Sequence, residues 1–431
     1  MPRLVQLVHG YPPREVAGTE VYASRVSASM LRRGWSVEVI AATRSPARAH
    51  GSVFTEEVDG VPVHRIVNNL PWRPLGQKEQ DPLVERRATT LLERLSPDVV
   101  HVQHLLFLSA HLRFSCPTIG TLHDAWAWCA RGGTLLRNGD KPCSGPENEA
   151  CSACYASWST GTNIEHMLAR TAGVLGKVIE PDRLHEIWRT LPGAIRSIPS
   201  LGAEPPPADP TEFLARQQAV RDAFLRLDVL LSPSSWLAQQ AQAQGLGHIQ
   251  HLPHGSPPAA KSTQKGPLVF LGSLAPHKGP HLVAKAVEAA RKKDPTVPAL
   301  EIIGPPGEPE YMATLPSEWV HPALPPEAVA DKLSTARALV LGSIWPENAP
   351  LVVLEARAAG CPVVAPNIGG LPEIIEHERD GLLYPAGDIN ALEAAISTIC
   401  SRSWDHVAPP QTLKTHMDAL ESLYRAQCKL L

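Results

Sequence analysis

The stretch Trp345-Pro-Glu-Asn-Ala-Pro-Leu-Val-Val-Leu-Glu-Ala356, continuing to Ala358-Ala-Gly-Cys-Pro-Val-Val364, decides the fold. An apolar run, Ala338–Leu341, precedes it and another, Cys361–Ala365, closes it. Between the two runs the spacing predicts a loop and then a helix near Pro350–Ala359. Pro350 suits the first helical position, where its missing N–H would be unpaired anyway. Gly360 suits the left-handed residue after the helix, and Pro362 bars its continuation. Strand, loop, helix and strand make one βαβ unit of a parallel sheet.

Open parallel sheets bind ligands in the crevice above the carboxyl ends of their strands. A helix N-terminus there attracts phosphate through unpaired N–H groups and its dipole. Glu347 falls in that loop and Glu355 on the helix. Taken alone, two glutamates are more often a solvated loop residue and an exposed helix residue. Here Leu351, Val352, Val353 and Leu354 are all apolar, so the helix is largely buried. A buried carboxylate needs a partner, and a sugar or ribose hydroxyl would supply one.

The same alternation extends in both directions. Strands are expected at Leu4–Val8, Ser36–Ala41, Val61–Ile66, Val99–Val102, Thr118–Leu122 and Val229–Leu231, then again at Pro267–Leu271 and Leu300–Ile303. Amphipathic helices are expected at Thr19–Arg33, Leu83–Leu95 and Pro280–Ala290, with Asp388 capping one that runs to about Cys400. The segment His254–Gly266 reads as a linker, and Glu204–Pro210 as a Pro-rich loop. These features divide the chain into 1–258, 259–405 and a helical tail at 406–431, which should pack back on the first domain. The fold class is therefore α/β, with two Rossmann-like domains built on parallel sheets.

Composition agrees with two sizeable cores. The 431 residues suit two domains of about 200 residues each, and 43% are apolar. Charged residues make up 19% with a net charge of -3, which gives no nucleic-acid signature. The 43 prolines mostly punctuate loops. The apolar run at the start is far too short for a signal peptide, and no stretch approaches the ~20 apolar residues of a membrane span. The expectation is a cytoplasmic protein, with peripheral attachment at the cytoplasmic membrane face left open. Arg216, Arg221 and Arg226 on Thr211–Leu227 could serve such attachment, although cationic helix faces are more often simply solvated.

With these motifs in place the chain resembles the retaining glycosyltransferases of family 4, which have the GT-B fold; the resemblance implies that the two parallel sheets face a deep interdomain cleft. The resemblance rests on Glu347-x7-Glu355 and the helix after it, on Asn367-Ile-Gly-Gly-Leu-Pro-Glu373, and on Asp380-Gly-Leu-Leu-Tyr-Pro-Ala-Gly-Asp388. It extends to Leu271-Gly-Ser-Leu-Ala-Pro-His-Lys-Gly279, Ser232-Pro-Ser-Ser-Trp236 and His251-Leu-Pro-His-Gly255. It implies transfer of a sugar from a nucleoside-diphosphate sugar, UDP or GDP, to a glycan, lipid-linked or small-molecule acceptor. Glu347 would then hold the donor sugar and Glu355 the ribose. The amides around Asn348, Ala349 and Leu351 would meet sugar and phosphate, and Gly369 and Gly370 would let backbone approach the nucleotide.

Lys278, in the loop of Gly272 and Ser273, would neutralise the diphosphate leaving group. The family usually has arginine where this chain has Ser273, so one forked cationic contact is missing; His277 or His281 could replace it. On the acceptor side, Gly18 would allow close approach of the opening loop, with Thr19 able to cap the next helix. His123, at the end of a strand, would meet the transferred sugar. Both glutamates lie on the donor half, unlike the flanking carboxylates of a glycosidase. A front-face retaining displacement fits, in which the departing phosphate takes the acceptor proton. No Asp-x-Asp motif occurs, so no catalytic metal or other cofactor is expected. Two further readings stay open: a GT-B epimerase or hydrolase, and a non-catalytic sugar-nucleotide binder, which Ser273 alone supports.

Cys129, Cys143, Cys151 and Cys154 fall within 26 residues of a loop-rich insertion, 125–160. The last pair has the C-x2-C spacing of a zinc site, and four thiolates suit tetrahedral structural zinc. The first pair, C-x13-C, is not a standard knuckle, so four reduced thiols in an acceptor loop are the other reading. Cys116, Cys361, Cys400 and Cys428 are scattered and read as buried small residues or free thiols.

Overall fold

The structure is a computed structural model and describes residues 1–45, 47–69, 79–137, 141–147, 150–154 and 209–428. The Pro-rich segment at 204–208 and the end of the 125–160 insertion lie outside these residues. Among the described residues two sheets carry the fold. The first has the order β10-β9-β6-β5-β1-β2-β4-β3. Its strands are β1 (Arg3–Val8), β2 (Ser36–Thr43), β3 (Val53–Val58), β4 (Val61–Val67), β5 (Val99–Val102), β6 (Thr118–Thr121), β9 (Val229–Ser232) and β10 (Gln250–His251). The second has the order β13-β12-β11-β14-β15-β16. It comprises β11 (Leu268–Leu271), β12 (Leu300–Ile303), β13 (Val320–His321), β14 (Ala338–Val340), β15 (Val363–Pro366) and β16 (Gly381–Tyr384).

All pairings in both sheets are parallel except β3 with β4. The strand β3 has no counterpart in the expected elements. Its sequence, Val-Phe-Thr-Glu-Glu-Val, alternates weakly and every other residue is exposed, as suits an edge strand with one face in water. A small hairpin of β7 (Leu136–Arg137) and β8 (Lys141–Pro142) belongs to neither sheet.

The helices follow local chemistry. α1 spans Gly18–Arg32 and starts one residue before the expected Thr19; its N-cap is Ala17, which makes no side-chain cap. In α2 (Pro82–Leu95), Asp81 accepts from the Leu83 and Val84 amides and Pro82 occupies the first turn. α3 (Pro210–Leu225) and α4 (Ser235–Ala243) flank β9 in sequence. The second domain contributes α5 (Pro280–Lys293), α6 (Pro326–Thr335), α7 (Leu351–Ala358) and α8 (Ile389–Ser401). Pro350 is the N-cap of α7 rather than its first helical residue. Gly360 behind α7 takes a φ of +66°, and Asp388 caps α8 through the Ala391 amide at 2.9 Å.

Each sheet is covered on both faces by apolar helices. The last helix, α9 (Leu413–Cys428), lies on the first domain: Met417, Leu420 and Tyr424 are buried with Leu4, Tyr22 and Trp35. Arg33 pairs with Asp418 and Glu421 of α9. Ser256 and Thr412 bridge side by side where the chain crosses between the domains. On α3, Arg216 is fully buried, with Nε 3.2 Å from Glu79 and Nη2 donating to the Trp126 carbonyl. Arg226 donates to the Ala110 carbonyl. Arg216 is therefore not part of a solvated or membrane-facing cationic stripe, because its carboxylate and carbonyl partners are internal, whereas Arg226 stays exposed.

Candidate active site

On the second domain, β11 runs into Gly272 and exposed Ser273, and a single tight turn, Pro276–Lys278, follows. Gly279 and Gly342 then let two loops touch through backbone. A Cβ on Gly279 would stand 1.9 Å from the Gly342 carbonyl oxygen, and one on Gly342 would stand 2.2 Å from that of Gly279. This contact brings Lys278 to Glu347, with Nζ 2.8 and 3.0 Å from the two carboxylate oxygens. Ser343 donates to Oε1 at 2.7 Å, and the ammonium sits 4.4 Å from the centre of the Trp345 ring. Burial pushes the Glu347 carboxyl up, but the Lys278 charge and the hydrogen bonds from Lys278 and Ser343 outweigh it and hold it below its ordinary value. The crevice thus contains an ionised carboxylate beside a fixed cation.

Gly369 and Gly370 press against the same loop. A Cβ on Gly369 (φ +64°) would lie 2.2 Å from the Glu347 carbonyl oxygen, and one on Gly370 2.1 Å from that of Asn348. The Gly370 amide donates to the Glu347 carbonyl at 2.7 Å. The close approach that these glycines serve is therefore to the Glu347 loop itself.

The carboxyl ends of the two sheets meet through this loop. The Asn348 side chain donates to the carbonyls of Leu122 (3.2 Å) and His123 (3.1 Å) and accepts from Ser234 at 2.5 Å. Ala349 is buried, and Leu351 packs against apolar clusters of both domains. Glu373 accepts from the amides of Ser235 (2.7 Å) and Trp236 (2.5 Å) and so caps α4 from the other domain. Glu355 pairs with Arg25 of α1. Burial raises the Glu355 carboxyl, and Arg25 offsets only part of that rise.

The first domain brings histidines to the crevice. His123 Nε2 is 2.9 Å from Gln103 Oε1, and the ring stands 5.3 Å from Tyr22 and 5.9 Å from His254. Burial, aided by His104, pulls His123 down to about 3, so the ring is neutral. His9 lies 3.2 Å from Glu20, and His104 lies 3.4 Å from Asp124. Burial lifts the Glu20 carboxyl; Asp124, also desolvated, is held low by His104. Gly18 opens α1 with no atom within 4 Å of a Cβ built on it.

The expected residues Lys278, Glu347, Asn348, Glu355 and His123 thus come together around one crevice. His281, suggested as a substitute for arginine at Ser273, has Nδ1 2.7 Å from the Tyr311 hydroxyl, and His277 stacks edgewise on Trp345 at 5.4 Å. Arg25, Glu20, Glu373 and His254 were not anticipated. Arg25 is one of several helical arginines, and no local pattern marks it. Glu20 could have been suspected from its place one residue after Gly18-Thr19 at the mouth of a phosphate-type loop. The four clustered thiols line one pocket, and none is in a disulfide. Among the described residues no three His, Cys, Asp or Glu side chains form a ready ligand set.

Two parallel-sheet domains joined across a crevice that holds a lysine–glutamate pair define a GT-B glycosyltransferase. Residues 265–402 match the family model for glycosyl transferases group 1, and residues 17–147 match that for the glycosyl transferase 4-like domain. Together the two matches span more than half of the chain, which belongs to the family 4 glycosyltransferases. It is 24% identical to the D-inositol 3-phosphate glycosyltransferase of Saccharomonospora viridis, over 96% of this chain and 90% of that one. Its fold is similar to sucrose-phosphate synthase from Thermosynechococcus elongatus, with a TM-score of 0.63, 15% identity and 100% of both chains covered. It is also similar to Anabaena HepE in complex with UDP-glucose, with a TM-score of 0.54, 14% identity, and 98% and 99% of the two chains covered. No helix among the described residues is long and apolar enough to cross a membrane.

Proposed function

We propose that this glycosyltransferase is a retaining, metal-independent hexosyltransferase that uses a nucleoside-diphosphate sugar, UDP or GDP, and a glycan, lipid-linked or small-molecule acceptor. The observation that carries the reading is the Lys278–Glu347 pair set against neutral His123 across the crevice. In this reading Lys278 turns to the diphosphate and stabilises the charge that grows as the glycosidic bond breaks. Glu347, freed from the ammonium, accepts hydrogen bonds from donor-sugar hydroxyls. Glu355 exchanges Arg25 for the ribose hydroxyls. A neutral His123 beside the sugar can accept or donate a hydrogen bond without placing a second cation next to the developing oxocarbenium. The departing phosphate takes the proton from the attacking acceptor hydroxyl on the same face, which retains the configuration.

UDP-sugars come first in the test because the similar HepE was solved with UDP-glucose, and inositol phosphates join the acceptor panel because of the relative named above. Purified protein is incubated with UDP- and GDP-sugars, with and without EDTA, and released nucleoside diphosphate is measured. The reading expects slow release from one donor, insensitive to EDTA and absent in Glu347→Ala, with retained anomeric configuration in the product. Failure of every donor to bind would overturn it. Binding without release under a broad acceptor panel would favour a non-catalytic binder.

A further inference from the structure

The cysteine cluster lies outside the transfer chemistry. Cys129 follows the buried Trp126–Trp128 turn, Cys143 comes directly after β8, and Cys151 and Cys154 sit on a helical turn at 150–154. All four line one pocket of about 30 Å³, walled otherwise by groups such as Trp128, Leu135 and Phe213. That is room for an ion or a water.

The surrounding backbone already treats these sulfurs as acceptors. The Glu147 amide donates to Cys151 Sγ at 3.2 Å, and the amides of Arg131 and Leu135 donate to Cys129. These N–H groups are placed to hydrogen-bond ligating sulfurs from outside a metal's shell. Arg131 and Arg137 also line the pocket. Four thiolates around a divalent ion leave two negative charges, which the guanidiniums offset in part, Arg137 being already paired with Glu147 of the same lining. The segment has little to order it otherwise: two-residue strands, one helical turn, and Gly132, Gly133 and Gly145 at positive φ.

We propose that Cys129, Cys143, Cys151 and Cys154 bind one structural zinc ion that orders the insertion beside the acceptor side of the crevice. Without the ion, Cys143 and Cys154 donate to the carbonyls of Gly145 and Leu136. Binding turns the sulfurs toward a common centre and releases four thiol protons to solvent. With four sulfurs the shell is complete, so the ion has no open position for catalysis. Its effect on the crevice is mechanical. Gly133 lies directly under Asp124, where a Cβ would stand 2.5 Å from Oδ1, and the Gly133 amide bonds the Cys129 carbonyl.

The test is independent of donor chemistry. Full-length, untagged protein is analysed for metals by mass spectrometry after gel filtration. About one zinc per chain is expected, lost in Cys151→Ser/Cys154→Ser and kept in Cys116→Ser/Cys428→Ser. Because the double variant could fail to fold, metal-free wild type is also titrated with cobalt. A thiolate-to-cobalt charge-transfer band with tetrahedral visible bands supports the site. Cobalt binding without a thiolate band overturns it, as does full zinc in the double variant. Iron with acid-labile sulfide overturns zinc in favour of a cluster.

Discussion

Arg25 of the first domain and Glu355 of the second form an ion pair across the crevice. The glutamate is the one proposed above to meet the ribose, and in the protein without donor that carboxylate holds the two domains together. Both side chains are mostly buried, and removing one member of such a pair leaves the other uncompensated, at about 3–5 kcal/mol. Arg25→Gln is expected to lower the melting temperature without donor. Saturating UDP-sugar should then raise it by more than in wild type, because the ribose supplies the missing partner. Thermal shift with and without donor checks this; equal shifts in both proteins would mean that Glu355 does not meet the ribose.

Lys278 is tied to Glu347 at 2.8 Å. Lys278→Ala is expected to reduce turnover by about 100- to 1000-fold, the usual effect of losing one group that stabilises developing charge. It should also let the buried Glu347 carboxyl titrate at higher pH, since burial then acts unopposed. Steady-state nucleotide release as a function of pH measures both.

Burial holds His101 and His123 to about 3 and His416 to about 4. In the unfolded chain they return to about 6.5. The unfolded state therefore binds protons more readily. The stability of the neutral rings is full above about 6.5 and is lost as pH falls from there toward the folded values, by up to about 1.4 kcal/mol per pH unit for each ring. Melting temperature should decline steadily on acidification below neutrality. His101→Gln should flatten the decline. His101 lies between the Tyr424 hydroxyl (2.6 Å) and Thr121 Oγ1 (2.8 Å), contacts an amide can partly keep.

Glu373 caps two amides of α4 from the opposite domain. Its replacement by glutamine removes a charge-assisted cap worth about 1 kcal/mol. The radius of gyration from small-angle scattering should rise without donor, while the melting temperature changes little. An unchanged radius would show that Asn348 and Leu351 suffice to keep the crevice closed.

Gly369→Ala combines a positive φ with a Cβ 2.2 Å from the Glu347 carbonyl oxygen. Displacement of the Glu347 loop is expected, with destabilisation of about 2 kcal/mol or more and a rise in donor KM. Calorimetry and kinetics on the same preparation check the pair of effects.

The α/β class was legible because short β-branched runs such as Val99–Val102 alternate with amphipathic helices such as Pro82–Leu95, and periodicity is a local property. The edge strand Val53–Val58 was not, since its partner Val61–Val67 supplies the pairing that its own weak alternation does not announce. At the site, Glu347, Glu355 and Lys278 were readable from spacing and motif. Arg25 was not, and Glu373 and His254, although inside motifs, acquire their roles only from partners far along the chain or in the other domain. Arg216 shows the opposite error. The sequence groups it with Arg221 and Arg226 on one cationic helix, whereas Glu79 and the Trp126 carbonyl draw it fully inside.

The position of α9 has a consequence for synthesis. The ribosome makes β1 first and α9 only after the whole second domain, yet Met417, Leu420 and Tyr424 cover Leu4, Tyr22 and Trp35. During translation the earlier domain therefore waits, with an apolar face uncovered, while the later one completes itself. A nascent chain stalled before residue 413 would be a natural client for chaperones. The donor half can mature first, and the half that is made first is finished last.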